Sequence, residues 1–258
     1  SLAHFWNDIY NQNKEKFSSE VLRKLYVLNY APNSMWTYFL SVHYMQNEGG
    51  NDNLDNSSLV KFLDKSIAFI WTYSIVNPGV NALRTPVYTE MISIVNNQNV
   101  TFNDFRFNEE NVRKSIDNFN FLNQRPITRS MLTWWTLNDI NQEVLKMDEI
   151  FEIEHIFARN RQIQENSLMN PNNIESLGNK ALLEERINIR ASDYRFCDKK
   201  KYYLGYTNAK NQWKEGTRIV ELRNLANQED FAEEDIEERN KMIINSFISY
   251  LKDNDLLK

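Results

Sequence analysis

Residues that interrupt regular structure are scarce in this chain: its 258 residues include six glycines and five prolines. An all-β sandwich needs a turn signal roughly every 8–12 residues. So few breakers point instead to helices joined by a small number of loops. Hydrophobic residues make up 41% of the sequence, which is enough for a sizeable core, and charged residues 25%, as in ordinary globular proteins.

The apolar pattern to about residue 142 reads as a series of helices. Leu22, Leu25, Tyr26 and Tyr30 recur at helical spacing after Ser18 and Ser19, which are suited to capping. Met35, Tyr38, Phe39, Val42 and Met45 form a second stripe. Leu59, Phe62, Leu63, Ile67, Ile70 and Tyr73 form a third, with Ser57 or Ser58 as its cap. Thr85-Pro86 marks a further start, because proline is tolerated at the first helical position. Another helix is expected from Thr128 through Met131, Leu132 and Trp135, with Trp134 and Trp135 serving packing. The stretches 48–56 and 96–103 read as polar loops.

Near Met147 the period changes. Ile150, Phe151, Ile153 and Ile156 predict a short strand, 159–176 a polar loop, and 177–183 a turn and a second strand. A polar, helix-compatible stretch follows from Glu184. The tail, 218–252, returns to a helical stripe of Ile236, Met242, Ile243, Phe247 and Leu251. The expected division is a helical domain over 1–147 and a second domain over 148–258.

Cys197 is the only cysteine, so neither an internal disulfide nor a cysteine-based zinc site can form. It reads as a small space-filler, compatible with a reducing, cytoplasmic setting. No apolar run reaches the roughly 20 residues of a membrane span. Net charge is −5, yet 156–220 holds 12 Lys+Arg against 7 Asp+Glu, a local +5, which leaves −10 for the rest.

Of three histidines, His4 and His43 sit among aromatic helical residues, whereas His155 follows a carboxylate, Glu154, at the end of the first strand. Asn179 comes 24 residues later and Asn188 nine beyond that. Phosphodiester hydrolysis needs a base near neutral pH, a cation for the developing charge, and a support for the base. An imidazole can serve as the base. The oxygens of Glu154 and Asn188 suit magnesium or manganese, and Asn179 is positioned to hydrogen-bond across the strands.

The segments Phe151-Glu-Ile-Glu-His155-Ile, Leu177-Gly-Asn-Lys-Ala-Leu-Leu183 and Asn188-Ile-Arg-Ala-Ser192 resemble the HNH (ββα-metal) nucleases. They look most like the C-terminal region of GmrSD-type restriction endonucleases, with Lys199 or Lys200 and Tyr203 in the tail. Lys180 departs from the leucine usual there but matches the strand of CRISPR-type HNH domains. The resemblance implies a mostly α fold with an embedded ββα-metal unit. It assigns His155 as base, Asn179 as its support, and Glu154 and Asn188 as ligands of one Mg²⁺ or Mn²⁺. It also implies DNA, foreign or modified, as substrate, and a nucleotide-hydrolysing domain earlier in a longer protein.

Lys180, Arg186, Arg190, Arg195, Lys199, Lys200 and Lys201 are candidate phosphate contacts, and Tyr202, Tyr203 and Tyr206 candidate base-stacking residues, with core packing expected for at least one of the three. The competing reading is a module that grips nucleic acid, or transmits a signal, without cutting.

Overall fold

The computed structural model describes residues 1–47, 55–79 and 81–258. Most of the loop expected at 48–56 lies outside the described residues. The fold is mostly α, as the scarcity of breakers requires, with twelve α-helices and four short strands among the described residues. None of these helices is long and apolar enough to cross a membrane.

The chain divides into two compact units: residues 1–119, 144–147 and 244–258 in one, 120–143 and 148–243 in the other. A boundary at 147/148 therefore marks only one of several crossings. The stretch before it, 120–143, goes with the strands, and the last residues go with the first helices.

The first unit contains α1 (Leu2–Tyr10), α2 (Ser19–Asn29), α3 (Met35–Asn47), α4 (Asn56–Val76), α5 (Arg84–Val95) and α6 (Glu109–Asn118). Ser18 caps α2 by accepting from Val21 N. Asp55, not Ser57 or Ser58, caps α4. Leu59, Leu63, Ile67, Phe69, Ile70 and Trp71 of α4 are buried on almost every side, the signature of a central helix. α2 and α6 both pack on it. Its Phe69 stacks on Phe102, ring centroids 3.7 Å apart. Phe102 has a left-handed backbone, φ +52°, which is strained for a bulky residue. The buried Glu90 carboxylate holds it there, accepting from Phe102 N at 2.7 Å and Thr101 N at 3.0 Å.

On α3 the buried stripe is Trp36, Phe39, Leu40, His43 and Tyr44, while Tyr38 and Met45 are exposed. Thirteen residues carrying apolar side chains on several faces offer no unambiguous stripe, and packing against α1 and α5 decides which face is covered.

The second unit contains α7 (Pro126–Asn138), β1 (Phe151–His155), α8 (Arg159–Glu165), β2 (Lys180–Glu184), α9 (Glu185–Ala191), α10 (Phe196–Leu204), β3 (Gly205–Thr207), β4 (Trp213–Glu215), α11 (Val220–Leu225) and the start of α12 (Glu233–Asp253). Pro126 opens α7 at its first turn. β1 and β2 pair antiparallel, Phe151 opposite Glu184 and His155 opposite Lys180. Every residue of β2 is buried, and α7 and α9 both pack against it. The stretch expected as loop after β1 contains α8 and a 3-10 turn at Pro171–Glu175. The tail forms two helices, α11 and α12, and Met242 is exposed.

Arg239 on α12 ties this unit together. Its Nη1 donates to the carbonyls of Leu177 (3.0 Å), Gly178 (2.9 Å) and Lys180 (2.7 Å). Its other face pairs with Glu221, Nε to Oε1 at 2.7 Å. Burial acts to raise the Glu221 carboxyl, but Arg239 and Trp135 outweigh it and hold it below the usual range. The approach of α12 requires glycine at 178, because a Cβ there would lie 2.0 Å from Ile236 O and 2.8 Å from Asn240 Cβ. Backbone cannot yield as a side-chain tip can. Gly178→Ala is expected to destabilise the second unit by about 3 kcal/mol or more, read as a fall in its thermal unfolding temperature.

Candidate active site

The site grows from the end of β1. Glu154 and His155 are consecutive on a strand, so their side chains leave opposite faces. Glu154 is buried, 3% exposed. Its Oε1 accepts from Lys199 Nζ at 2.8 Å and from Tyr203 OH at 2.5 Å, while Oε2 accepts from no other described residue. Lys199 and Tyr203 are one turn apart on α10, so a single helix face supplies both donors. Lys199 also donates to His155 O at 2.9 Å. Burial, then the neighbouring Glu154, pushes the Tyr203 phenol well above its ordinary value, so it stays protonated.

Asn179 forms the support across the strands. Its Oδ1 accepts from Phe157 N at 2.7 Å, and its Nδ2 donates to Phe157 O and Ile174 O, each at 3.0 Å. Ile156 N donates to the Asn179 carbonyl at 2.9 Å. The turn after His155 is thus pinned to the turn before β2.

Glu175 stands at the other side of His155, and no motif in the sequence distinguishes it from the asparagine-rich run around it. Its Oε2 lies 3.5 Å from His155 Nε2. That contact is electrostatic, since the buried Nε2 has no hydrogen-bond partner among the described residues. Glu175 also pairs with Lys180 at 2.6 Å and Arg159 at 2.7 Å. Burial raises its carboxyl, but Lys180, His155 and Arg159 together lower it below the usual range. Burial first, then Arg159 and Lys180, depresses the His155 imidazole to about 4. At neutral pH the ring is uncharged and able to accept a proton.

Asn188 is half-buried on α9, the helix that leaves β2 and packs on β1. Its side-chain amide makes no hydrogen bond among the described residues. An unengaged carboxylate oxygen and an unengaged amide oxygen, on two elements packed together, match the hard-donor chemistry of magnesium or manganese. No cluster of three or more His, Cys, Asp or Glu suited to a metal exists among the described residues, so any such ion would rely on Asn188 and water.

Three of the candidate nucleic-acid contacts are in the interior. Lys180 is 0% exposed, its ammonium bonded to Glu175 and Phe121 O. Lys199 and Tyr203 are bound to Glu154. These groups hold the site and do not meet phosphate. Lys200 donates to Gln228 O at 2.9 Å, and Lys201 is exposed, over the Tyr202 ring. Arg190 is half-buried. Cys197 is exposed and fills no core space. His43 is buried and stacked on Phe62, ring centroids 3.9 Å apart, and His4 is exposed.

The family model for the C-terminal domain of GmrSD restriction endonucleases matches residues 106–246, just over half of the chain. This chain belongs to that family. The match contains β1, β2, α9 and α10, and therefore every residue of the constellation just described. No curated protein and no solved structure matches the chain. For a member of this family the half-buried imidazole has a measurable consequence. His155 titrates near 4 when folded and near 6.5 when unfolded. The unfolded chain therefore binds more protons between those values. The resulting stability is fully present above pH 6.5 and is lost as pH falls toward 4. In metal-free buffer the urea midpoint should drop between pH 7 and pH 5, and His155→Gln should reduce that drop.

Proposed function

We propose that the chain is a metal-dependent endonuclease of the HNH type that hydrolyses phosphodiester bonds of DNA, the cutting part of a restriction protein directed at foreign or modified DNA. The observation that carries this reading is the pairing of a neutral, half-buried imidazole with an adjacent carboxylate that keeps one oxygen free, in a family of restriction endonucleases. In this reading His155 takes the proton of the attacking water. With Nε2 turned toward Glu175, Nδ1 is the accepting nitrogen. Asn179 fixes the backbone on which the ring is mounted, so the base meets its water without a search over conformers. Lys199 and Tyr203 fix the rotamer of Glu154, and Glu154 Oε2 and the Asn188 amide oxygen would hold one Mg²⁺ or Mn²⁺. When bound, such an ion neutralises charge on the phosphate and on the departing 3′-oxygen.

A single site of this kind cuts one strand per visit. A cytoplasmic location and a nucleotide-hydrolysing domain in the same longer protein belong to the same reading. Supercoiled plasmid with magnesium or manganese tests it. The chain should nick the plasmid, and His155→Ala should lower the rate by roughly 10²–10⁴-fold. Glu154→Gln and Asn188→Ala should require higher metal concentrations. Salt-sensitive DNA binding without nicking by either protein would indicate a catalytically silent module instead.

A further inference from the structure

An exposed tryptophan on the β3–β4 hairpin was not singled out by the sequence. Trp213 on β4 is 62% exposed. In the β3–β4 register, Thr207 pairs with Trp213 and Gly205 with Glu215, so Trp213 shares a face with Thr207 and lies diagonally across from Gly205. An added Cβ at Gly205 would fall 2.6 Å from Trp213 Cζ2. The indole therefore rests one side on bare backbone, which only glycine permits, and turns the rest outward.

The mount is stiff. Asn208 Oδ1 accepts from Lys210 N (3.0 Å) and Gln212 N (2.9 Å) within the hairpin loop. At the base of the hairpin, Thr217 N donates to Tyr203 O at 2.9 Å, and Thr217 Oγ1 donates to Glu184 Oε2 at 2.5 Å. The hairpin is thus anchored to the residue that bonds Glu154 and to the end of β2. Across 186–215, leaving out Lys199, which is bound to Glu154, there are seven Lys+Arg and three Asp+Glu, inside a chain of net charge −5. Lys210 is exposed and Lys214 half-buried on the hairpin itself.

We propose that the β3–β4 hairpin is a DNA contact in which Trp213 stacks on an unpaired or frayed base while Lys210, in the loop that joins the two strands, meets a flanking phosphate. This rests on the nuclease reading above and adds its substrate surface. A rigid, half-supported aromatic ring, on a hairpin whose loop carries an exposed lysine, suits single-stranded nucleic acid, because every base has a π-face. An immobile mount also loses little conformational entropy on binding.

The test uses the whole chain carrying His155→Ala, so that bound DNA is not cut, and the fluorescence anisotropy of short fluorescein-labelled single-stranded and duplex DNA across a salt series. Adding Trp213→Ala should weaken single-strand binding roughly 5- to 100-fold with less effect on duplex, and leave the slope of log affinity against log salt unchanged. Adding Lys210→Ala should reduce that slope by roughly 0.7–0.9. Trp213→Phe should keep most of the affinity and Trp213→Leu should lose it, a comparison that stands if the alanine variant fails to fold. Plasmid nicking by the parent with Trp213 variants that bind as tightly as their background would overturn the hairpin contact alone. A parent that neither binds nor nicks DNA would overturn both readings, and a Trp213-dependent protein partner without DNA binding would also overturn the contact.

Discussion

The carboxamide of Asn179 makes three hydrogen bonds, and its backbone carbonyl a fourth, all to the segments that flank His155 in space. The side chain is 0% exposed. Its partners are backbone groups, and the Phe157 N and O among them are buried, so its loss would leave them unpaired, at about 1–3 kcal/mol each. β1 ends, turns and hands over to α8 around this one amide. The position of the imidazole, and hence of any water it could act on, follows from it.

Paired charges stand on both sides of this centre, the Glu154 side buried and the Glu175 side partly open. On one side Lys199 and Tyr203 converge on Glu154. On the other, Lys180 and Arg159 converge on Glu175, which faces His155. A buried ion pair adds little net stability in general but is costly to break, so such pairs fix geometry more than they add stability. Here they leave the ring neutral and one carboxylate oxygen unclaimed. Farther out, Arg239 closes the strand unit by bonding the carbonyls of Leu177, Gly178 and Lys180, and Gly178 makes room for the helix that carries it.

The helical class, the two strands and their order were legible because a change from helical to alternating apolar spacing needs only local sequence. The residues around His155 were legible as a motif. What the sequence hid were the partners that tertiary contact selects. Lys180 and Lys199 read as a surface because Lys is usually found there, and only the fold shows them, with Tyr203, committed to carboxylates. Glu175 lies among asparagines with no spacing signal, and Trp213 reads as one more aromatic in an aromatic-rich chain. On α3, apolar side chains on several faces left the covered stripe undecided until neighbours packed against it. The cap of α4 shifted from serine to Asp55 for a similar reason, since two adjacent polar residues compete for one role.

The central claim is that Glu154 and Asn188, distant in sequence, share one divalent ion beside the neutral His155. Diffraction from crystals soaked in manganese, measured at the manganese absorption edge, tests it most directly. The account requires one anomalous peak at roughly 2.0–2.3 Å from both Glu154 Oε2 and the Asn188 amide oxygen, with Lys199 still bound to Oε1. A peak held by neither residue, or no peak in the second unit, would contradict it.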